Sequence, residues 1–198
     1  GSYSRQLGIT GASVADFAVR TTSTDWASTT AAGLNSGVMT VSSTVFPANG
    51  QTYGFSPPYT YCAASATTLD EVLTNVTFGS INNSSGWTGY ANYFATTNTN
   101  LVAGNSYPIS GTISPYYTGD NMACWIDYNH NGTFDASEIT VFTPGPTSTG
   151  TVNVPSTALY GVTTMRVRMR WNSTDNPCGT QTYGEVEDYK VTIAPATG

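Results

Sequence analysis

The stretch that most restricts the fold is Asp127-Tyr-Asn129-His-Asn131-Gly132-Thr133-Phe134-Asp135-Ala-Ser-Glu138. Oxygen side chains stand at its first, third, fifth, ninth and twelfth places, with glycine at the sixth. That is the ligand order of the twelve-residue calcium loop. Calcium is a hard cation that takes six to eight oxygens at roughly 2.3–2.6 Å. The expected ligands are Asp127, Asn129, Asn131, the backbone carbonyl of Thr133, Asp135 directly or through water, and Glu138 with both oxygens. Gly132 permits the sharp turn. The plainer reading is an Asn/Asp/Gly-rich turn of the kind common in β proteins. The flanks decide the setting. Met122-Ala-Cys124-Trp125-Ile126 enters as a strand and Ile139-Thr140-Val141-Phe142 leaves as one. The loop is therefore expected to clasp Ca2+ between two strands, unlike a helix-loop-helix sensor.

A strand setting agrees with the rest of the chain. Only 9% of its 198 residues are charged, while Ser, Thr and Asn make up 69 of them. Good helix formers are scarce, and β-branched and aromatic residues alternate with 20 Gly and 10 Pro. Strand candidates run over 72–81, 87–96, 106–113, 121–127, 138–143, 150–154, 163–171 and 185–193. Turn signals separate them, among them Asn82-Asn-Ser-Ser-Gly86, Ser114-Pro115 and Pro144-Gly-Pro146. Eight short strands at this spacing predict an all-β chain, a two-layer antiparallel β-sandwich of jelly-roll or immunoglobulin-like type. Residues 1–58 read differently, as an N-terminal extension, a small β subdomain or a linker ending in Pro57-Pro58. Residues 59–198 form the predicted sandwich domain.

Charge excludes some partners. The net charge is −6 with six Lys and Arg in all, too few for a nucleic-acid footprint or a basic membrane-surface patch. No apolar run approaches the ~20 residues of a membrane span, so neither nucleic acid nor membrane insertion is expected. Gly1-Ser2 looks like an expression scar, which makes the chain an expected piece of a longer protein. Three cysteines leave one over. A Cys62–Cys178 bridge would tie the edges of the domain, with Cys124 as a buried small apolar residue. Three unrelated thiols are the alternative.

Period two places Met165, Val167, Met169 and Trp171 on one face of a strand and Arg166, Arg168 and Arg170 on the other. Near the C-terminus, Glu185 and Glu187 share a face and Asp188 takes the opposite one. If the two strands are antiparallel neighbours, Arg–carboxylate pairs form between them. Two further uses stay open: Glu185 or Asp188 as an extra metal ligand, and the arginine row as a site for an anionic sugar. Glu185 and Glu187 are poor glycosidase candidates, because charge ladders also meet the required spacing. His130, the sole histidine, is expected to face solvent between calcium ligands. No nucleophile triad, zinc motif or phosphate loop is present, so no enzyme activity is expected.

Several ordered stretches together resemble a known family. They are Tyr61-Cys62, Gly89-Tyr90-Ala-Asn-Tyr93, Trp125 to Phe134, Met165-Arg-Val-Arg168, Pro177-Cys178 and Gly184-Glu185-Val186-Glu187-Asp188-Tyr189. Residues 60–194 are similar to the GEVED domain, named for the last motif. The resemblance implies an accessory β-sandwich of secreted bacterial proteins, attached to a catalytic domain in the same parent chain, and it supplies no defined ligand.

Aromatic residues suggest one. Rings exposed in loops stack on sugar C–H faces, and Trp87, Tyr116 and Tyr117 are the candidates for exposure, with Asp120 beside them. Trp125, Trp171, Tyr90 and Tyr189 are expected in the core. The leading expectation is a calcium-stabilised, secreted, polysaccharide-binding module of a hydrolase. The alternatives are an adhesive module for collagen-like or other matrix protein in a secreted peptidase, or a structural spacer.

Overall fold

A computed structural model describes residues 59–173 and 175–196. The expectations for residues 1–58 lie outside the described residues. Twelve strands and no helix occur among the described residues: β1 (Ala64–Ala66), β2 (Val72–Phe78), β3 (Ile81–Ser84), β4 (Ala91–Asn92), β5 (Asn98–Val102), β6 (Ser106–Ser114), β7 (Asp120–Ile126), β8 (Ile139–Val141), β9 (Thr147–Asn153), β10 (Gly161–Trp171), β11 (Gly179–Gln181) and β12 (Gly184–Ala194).

Two sheets form the sandwich. One has the order β4-β12-β10-β7-β8 with β5 also beside β12, and the other has the order β3-β2-β6-β9. Their facing sides bury Leu73, Val76 and Phe78 of β2 and Ile109 and Ile113 of β6 against Met122, Cys124 and Ile126 of β7. Met165, Val167 and Met169 of β10 and Tyr189, Val191 and Ile193 of β12 complete that core. The strands contribute alternate residues, as the pleat requires, save in β2, where an irregularity between Leu73 and Asn75 shifts the alternation by one. Gly111 lets the layers approach: a Cβ there would lie 2.4 Å from the Met122 sulfur. The sandwich is not wholly antiparallel, since β4 and β5 both run parallel to β12.

A third, small layer covers the outer face of the larger sheet. It consists of β1 paired in parallel with β11, and the Cys62–Cys178 disulfide ties its two segments together. Cys124 remains a free, buried thiol, which burial pushes up to about 12. A second apolar cluster sits under this layer, with Ala123, Trp125 and Phe134 buried against Tyr61, Cys62 and Ile139. Trp125 is thus buried as expected, but on the outer side of β7. Its neighbour Cys124 points into the sandwich, because consecutive residues of a strand take opposite faces.

The predicted strand over 87–96 shrinks to Ala91–Asn92, that over 72–81 ends at Phe78, the turn expected at Asn82–Gly86 begins inside β3, and β1, β5 and β11 were not anticipated. Their sequences, Ala-Ser-Ala, Asn-Thr-Asn-Leu-Val and Gly-Thr-Gln, show no apolar alternation. Pairing at a sheet edge or over a covered face holds them in place.

Candidate functional site

The loop between β7 and β8 is built from its own polar side chains. The Asp127 carboxylate is fully buried. It accepts the N–H groups of Asn131 at 3.1 Å and Gly132 at 2.9 Å, and the Tyr61 hydroxyl donates to it at 2.8 Å. Glu138, also buried, accepts from Tyr128 N at 2.8 Å with one oxygen and from Asp135 N at 2.9 Å with the other. The outer half converges on Asp135. The Nδ2 atoms of Asn129 and Asn131 both donate to its Oδ2 at 2.9 Å, and the Thr133 hydroxyl lies 2.6 Å from the Asn131 Oδ1 and 3.2 Å from the Asp135 Oδ1. These bonds hold the Asp135 carboxyl below its ordinary range, whereas burial raises that of Glu138. Gly132 takes a φ of 79°, and a Cβ there would lie 2.7 Å from the Tyr59 ring. Phe134 anchors the loop by stacking on Tyr61 with ring centroids 4.5 Å apart.

Five of the predicted ligand side chains therefore meet in one hydrogen-bonded knot. No group of three His, Cys, Asp or Glu side chains among the described residues forms a ready-made metal cage. Two of the loop's oxygen sources are asparagine amides, and one is a backbone carbonyl, so such a cage is not required for a hard cation. His130 differs from expectation. It is buried at a φ of 54°, because the left-handed turn directs its side chain back to the body of the domain.

The arginine row is structural. Arg166 faces Asp188 in the β10–β12 register and grips it at two points, Nε to Oδ1 at 2.7 Å and Nη2 to Oδ2 at 2.8 Å. Its Nη1 donates to the carbonyls of Cys62 at 2.7 Å and Pro177 at 3.0 Å. Arg168 donates to the carbonyls of Asn176, Cys178 and Gly179, and Arg170 pairs with Asp175 at 2.9 Å. The row fastens the disulfide-bearing layer to the sheet and leaves no open cationic surface. Burial and its two charged neighbours lower the Arg168 pKa to about 10.

Glu185 and Glu187 take the opposite face. Register sets Glu187 against Val167 and Glu185 against Met169, so both carboxyls enter the sandwich interior. They do not pair with the arginines, and neither Glu185 nor Asp188 is hydrogen-bonded into the Asp127–Glu138 loop. Glu185 accepts from Leu73 N at 3.0 Å and Thr88 N at 2.9 Å. Glu187 accepts from the Ser85 hydroxyl at 2.6 Å and the Tyr189 hydroxyl at 2.5 Å. Burial pushes Glu185 up to about 7 and raises Glu187 as well. Both carboxyls are enclosed, Glu185 on backbone N–H groups and Glu187 on side-chain hydroxyls.

The aromatic expectations divide. Tyr117 is 41% exposed, Tyr116 is half-buried against the core, and Trp87 is half-buried with its indole N–H on the Gly184 carbonyl at 3.0 Å. Asp120 is buried and accepts from Tyr117 N at 2.7 Å. Tyr189 and Trp125 are buried, but Tyr90 and Trp171 are 38% and 42% exposed. Tyr90 lies over the outer face, where its hydroxyl donates to Asp188 at 2.9 Å. Trp171 closes β10 beyond the edge of the opposing sheet and rests edge-on against Tyr183, 6.0 Å between centroids at 90°.

A family model described as the GEVED domain matches residues 121–192. That span runs from β7, through the loop and the arginine row, past the Gly184–Asp188 motif and into the rest of β12. Over those residues the chain is similar to the GEVED domain. GEVED domains are accessory domains, and that is the coarse assignment the match gives. No curated protein matches the chain. Among solved structures, one chain comes from work on T-cell specificity and activation by the bacterial superantigen toxic shock syndrome toxin-1. It is 10% identical, with 50% of this chain and 95% of that one covered at a TM-score of 0.33. Another is a two-domain protein of unknown function from Bacteroides fragilis, 11% identical, with 63% and 46% covered at a TM-score of 0.31. Likenesses this weak carry no argument.

Each residue of the GEVED motif has a physical task in this fold. Gly184 adopts a φ of 116°, and a Cβ would lie 2.2 Å from the Met169 carbonyl oxygen, so glycine alone fits. Glu185 and Glu187 cap interior donors from the opposing sheet and its connections. Val186 is fully buried on the covered outer face, and Asp188 neutralises Arg166. The GEVED domain thus uses its motif to join three layers, and the sequence signal for this was charge in a charge-poor chain. Gln181, Thr182 and Tyr183, which line a surface depression with Trp171, carry no such signal.

Proposed function

We propose that this chain is a non-catalytic, calcium-braced binding module that holds a secreted bacterial hydrolase, encoded in the same parent chain, on polysaccharide. The observation that carries the proposal is the convergence of Asn129, Asn131 and Thr133 on Asp135, above the buried carboxylates of Asp127 and Glu138. Amide oxygen and nitrogen are assigned from hydrogen bonding. A divalent cation would replace the donated hydrogens, with both Asn side chains turning to present oxygen beside Asp135 and the N–H groups of Asn131 and Thr133, now on those oxygens at 3.0 and 2.8 Å, passing to other acceptors. Asp127, Asn129, Asn131, the Thr133 carbonyl, Asp135 and Glu138 would hold it. The cation supplies charge neutralisation and rigidity, and no reaction step involves it.

Secretion is supported by the Cys62–Cys178 disulfide, a crosslink that persists in oxidising compartments. A non-catalytic role is supported by the enclosure of Glu185 and Glu187 and by the accessory nature of the family. Polysaccharide is supported by exposed rings on a surface rich in hydroxyl and amide groups. The test is co-sedimentation with insoluble cellulose, chitin, xylan and agarose, and in parallel with fibrillar collagen, each in calcium and in chelator. Binding to a polysaccharide that weakens in chelator is expected. Binding to collagen alone would replace the ligand class, and binding to none would leave a spacer.

A further inference from the structure

Trp171 stands where the sandwich has ended. Its strand-mates Met165, Val167 and Met169 are fully buried, yet it is 42% exposed. The ring is nonetheless held firmly. Its Nε1–H donates to the Thr118 carbonyl at 3.3 Å, and Tyr183 braces it at a right angle. Beside it, Asn172 is fixed at a φ of 43° with its N–H on the Gly119 carbonyl at 3.0 Å. Asparagine accepts this left-handed turn more readily than other non-glycine residues, and the turn sets its side chain at the end of β10. Across the gap, the Gln181 amide nitrogen donates to the carbonyls of Met169 and Tyr183, which fixes the floor.

Trp171, Asn172, Ser173, Gln181, Thr182 and Tyr183 together line an open depression of ≈ 350 Å³. Its size falls at the lower end of small-ligand sites. Two perpendicular rings form a corner, and the remaining four side chains offer amides and hydroxyls. None of the six carries a formal charge, and the domain's arginine row is sealed under the outer layer. An anionic ligand would find no countercharge here. A sugar ring, with an apolar C–H face and a rim of hydroxyls, matches both halves of the lining.

We infer that this depression is the ligand site, and that it takes a short stretch of neutral polysaccharide stacked on Trp171 with Tyr183 as the side wall. The inference rests on the polysaccharide reading above and adds the place and the charge class. Selection between sugars then lies with Asn172 and Thr182 at the rim, above the floor set by Gln181.

The test is affinity electrophoresis in gels containing hydroxyethylcellulose, xylan, laminarin or agarose, and separately alginate or carrageenan. Wild type is expected to be retarded in at least one neutral gel. Trp171→Ala should bind about thirtyfold more weakly, the effect of losing an aromatic anchor, with an unchanged disulfide and melting temperature. Trp171→Phe keeps a stacking face and should keep most of the retardation. Thr182→Arg, at an exposed rim position, should block the depression, and it decides the matter if Trp171→Ala does not fold. Retardation of Trp171→Ala and Thr182→Arg equal to wild type would overturn this site while leaving the polysaccharide reading in place. Retardation only in alginate or carrageenan would overturn the neutral class. Passage of wild type through every gel unretarded would overturn both.

Discussion

Arg166 and Asp188 meet at two points across β10 and β12, with only 2% and 5% of their side chains exposed. The same guanidinium lies 5.0 Å from the Phe134 ring centroid and holds the Cys62 carbonyl. One side chain thus connects the Gly184–Asp188 motif, the anchor of the Asp127–Glu138 loop and the disulfide layer. Removing one partner leaves a buried charge uncompensated, which costs about 3–5 kcal/mol. Asp188→Asn is expected to lose that much in urea unfolding. An apolar double replacement, Arg166→Met with Asp188→Leu, should lose less than the sum of the two single changes.

The interior carboxyls predict an unusual pH response. Burial raises the folded-state pKa of Glu185 to about 7 and also raises Glu187. A carboxyl raised on folding favours the folded state when protonated. Its contribution is complete below the ordinary glutamate range and is lost as pH rises through the folded value. In calcium-free buffer the melting temperature should therefore fall between pH 5 and pH 8. Glu185→Gln should flatten that slope, even if losing one accepted N–H lowers stability throughout. Parallel slopes for wild type and variant would show that Glu185 does not titrate there.

The disulfide closes a separation of 116 residues and secures the outer layer over the arginine row. Reduction, or Cys62→Ser with Cys178→Ser, should lower unfolding stability by about 2–5 kcal/mol. Because Arg168 donates to the carbonyls of Asn176, Cys178 and Gly179, hydrogen exchange should speed up first in β1 and β11. The four-stranded sheet should be the last to respond.

Much of this architecture was legible in residue order. Alternation in Met165–Arg170 separates core from arginines correctly, and the Cys62–Cys178 pairing follows from their place at the domain's edges. What alternation leaves out is register. Glu185 and Glu187 share a face, but only the pairing of Glu187 with Val167 reveals that this face is the interior. Alternation also cannot tell where an opposing sheet stops, which is why Trp171 reads as core and stands partly in solvent. Tyr183 and Gln181 have no periodicity at all. They come beside Trp171 only when the chain between β10 and β12 folds back.

The brace itself is tested most directly by thermal unfolding across a calcium titration, from chelator to millimolar calcium, with wild type and Asp135→Ala. Binding to the folded state alone stabilises by mass action, so the wild-type melting temperature should climb steadily with calcium. Asp135→Ala removes the point on which three loop side chains converge, and its melting temperature should not move. Identical curves for wild type in chelator and in millimolar calcium would contradict the account and leave Asp127–Glu138 as a hydrogen-bonded turn.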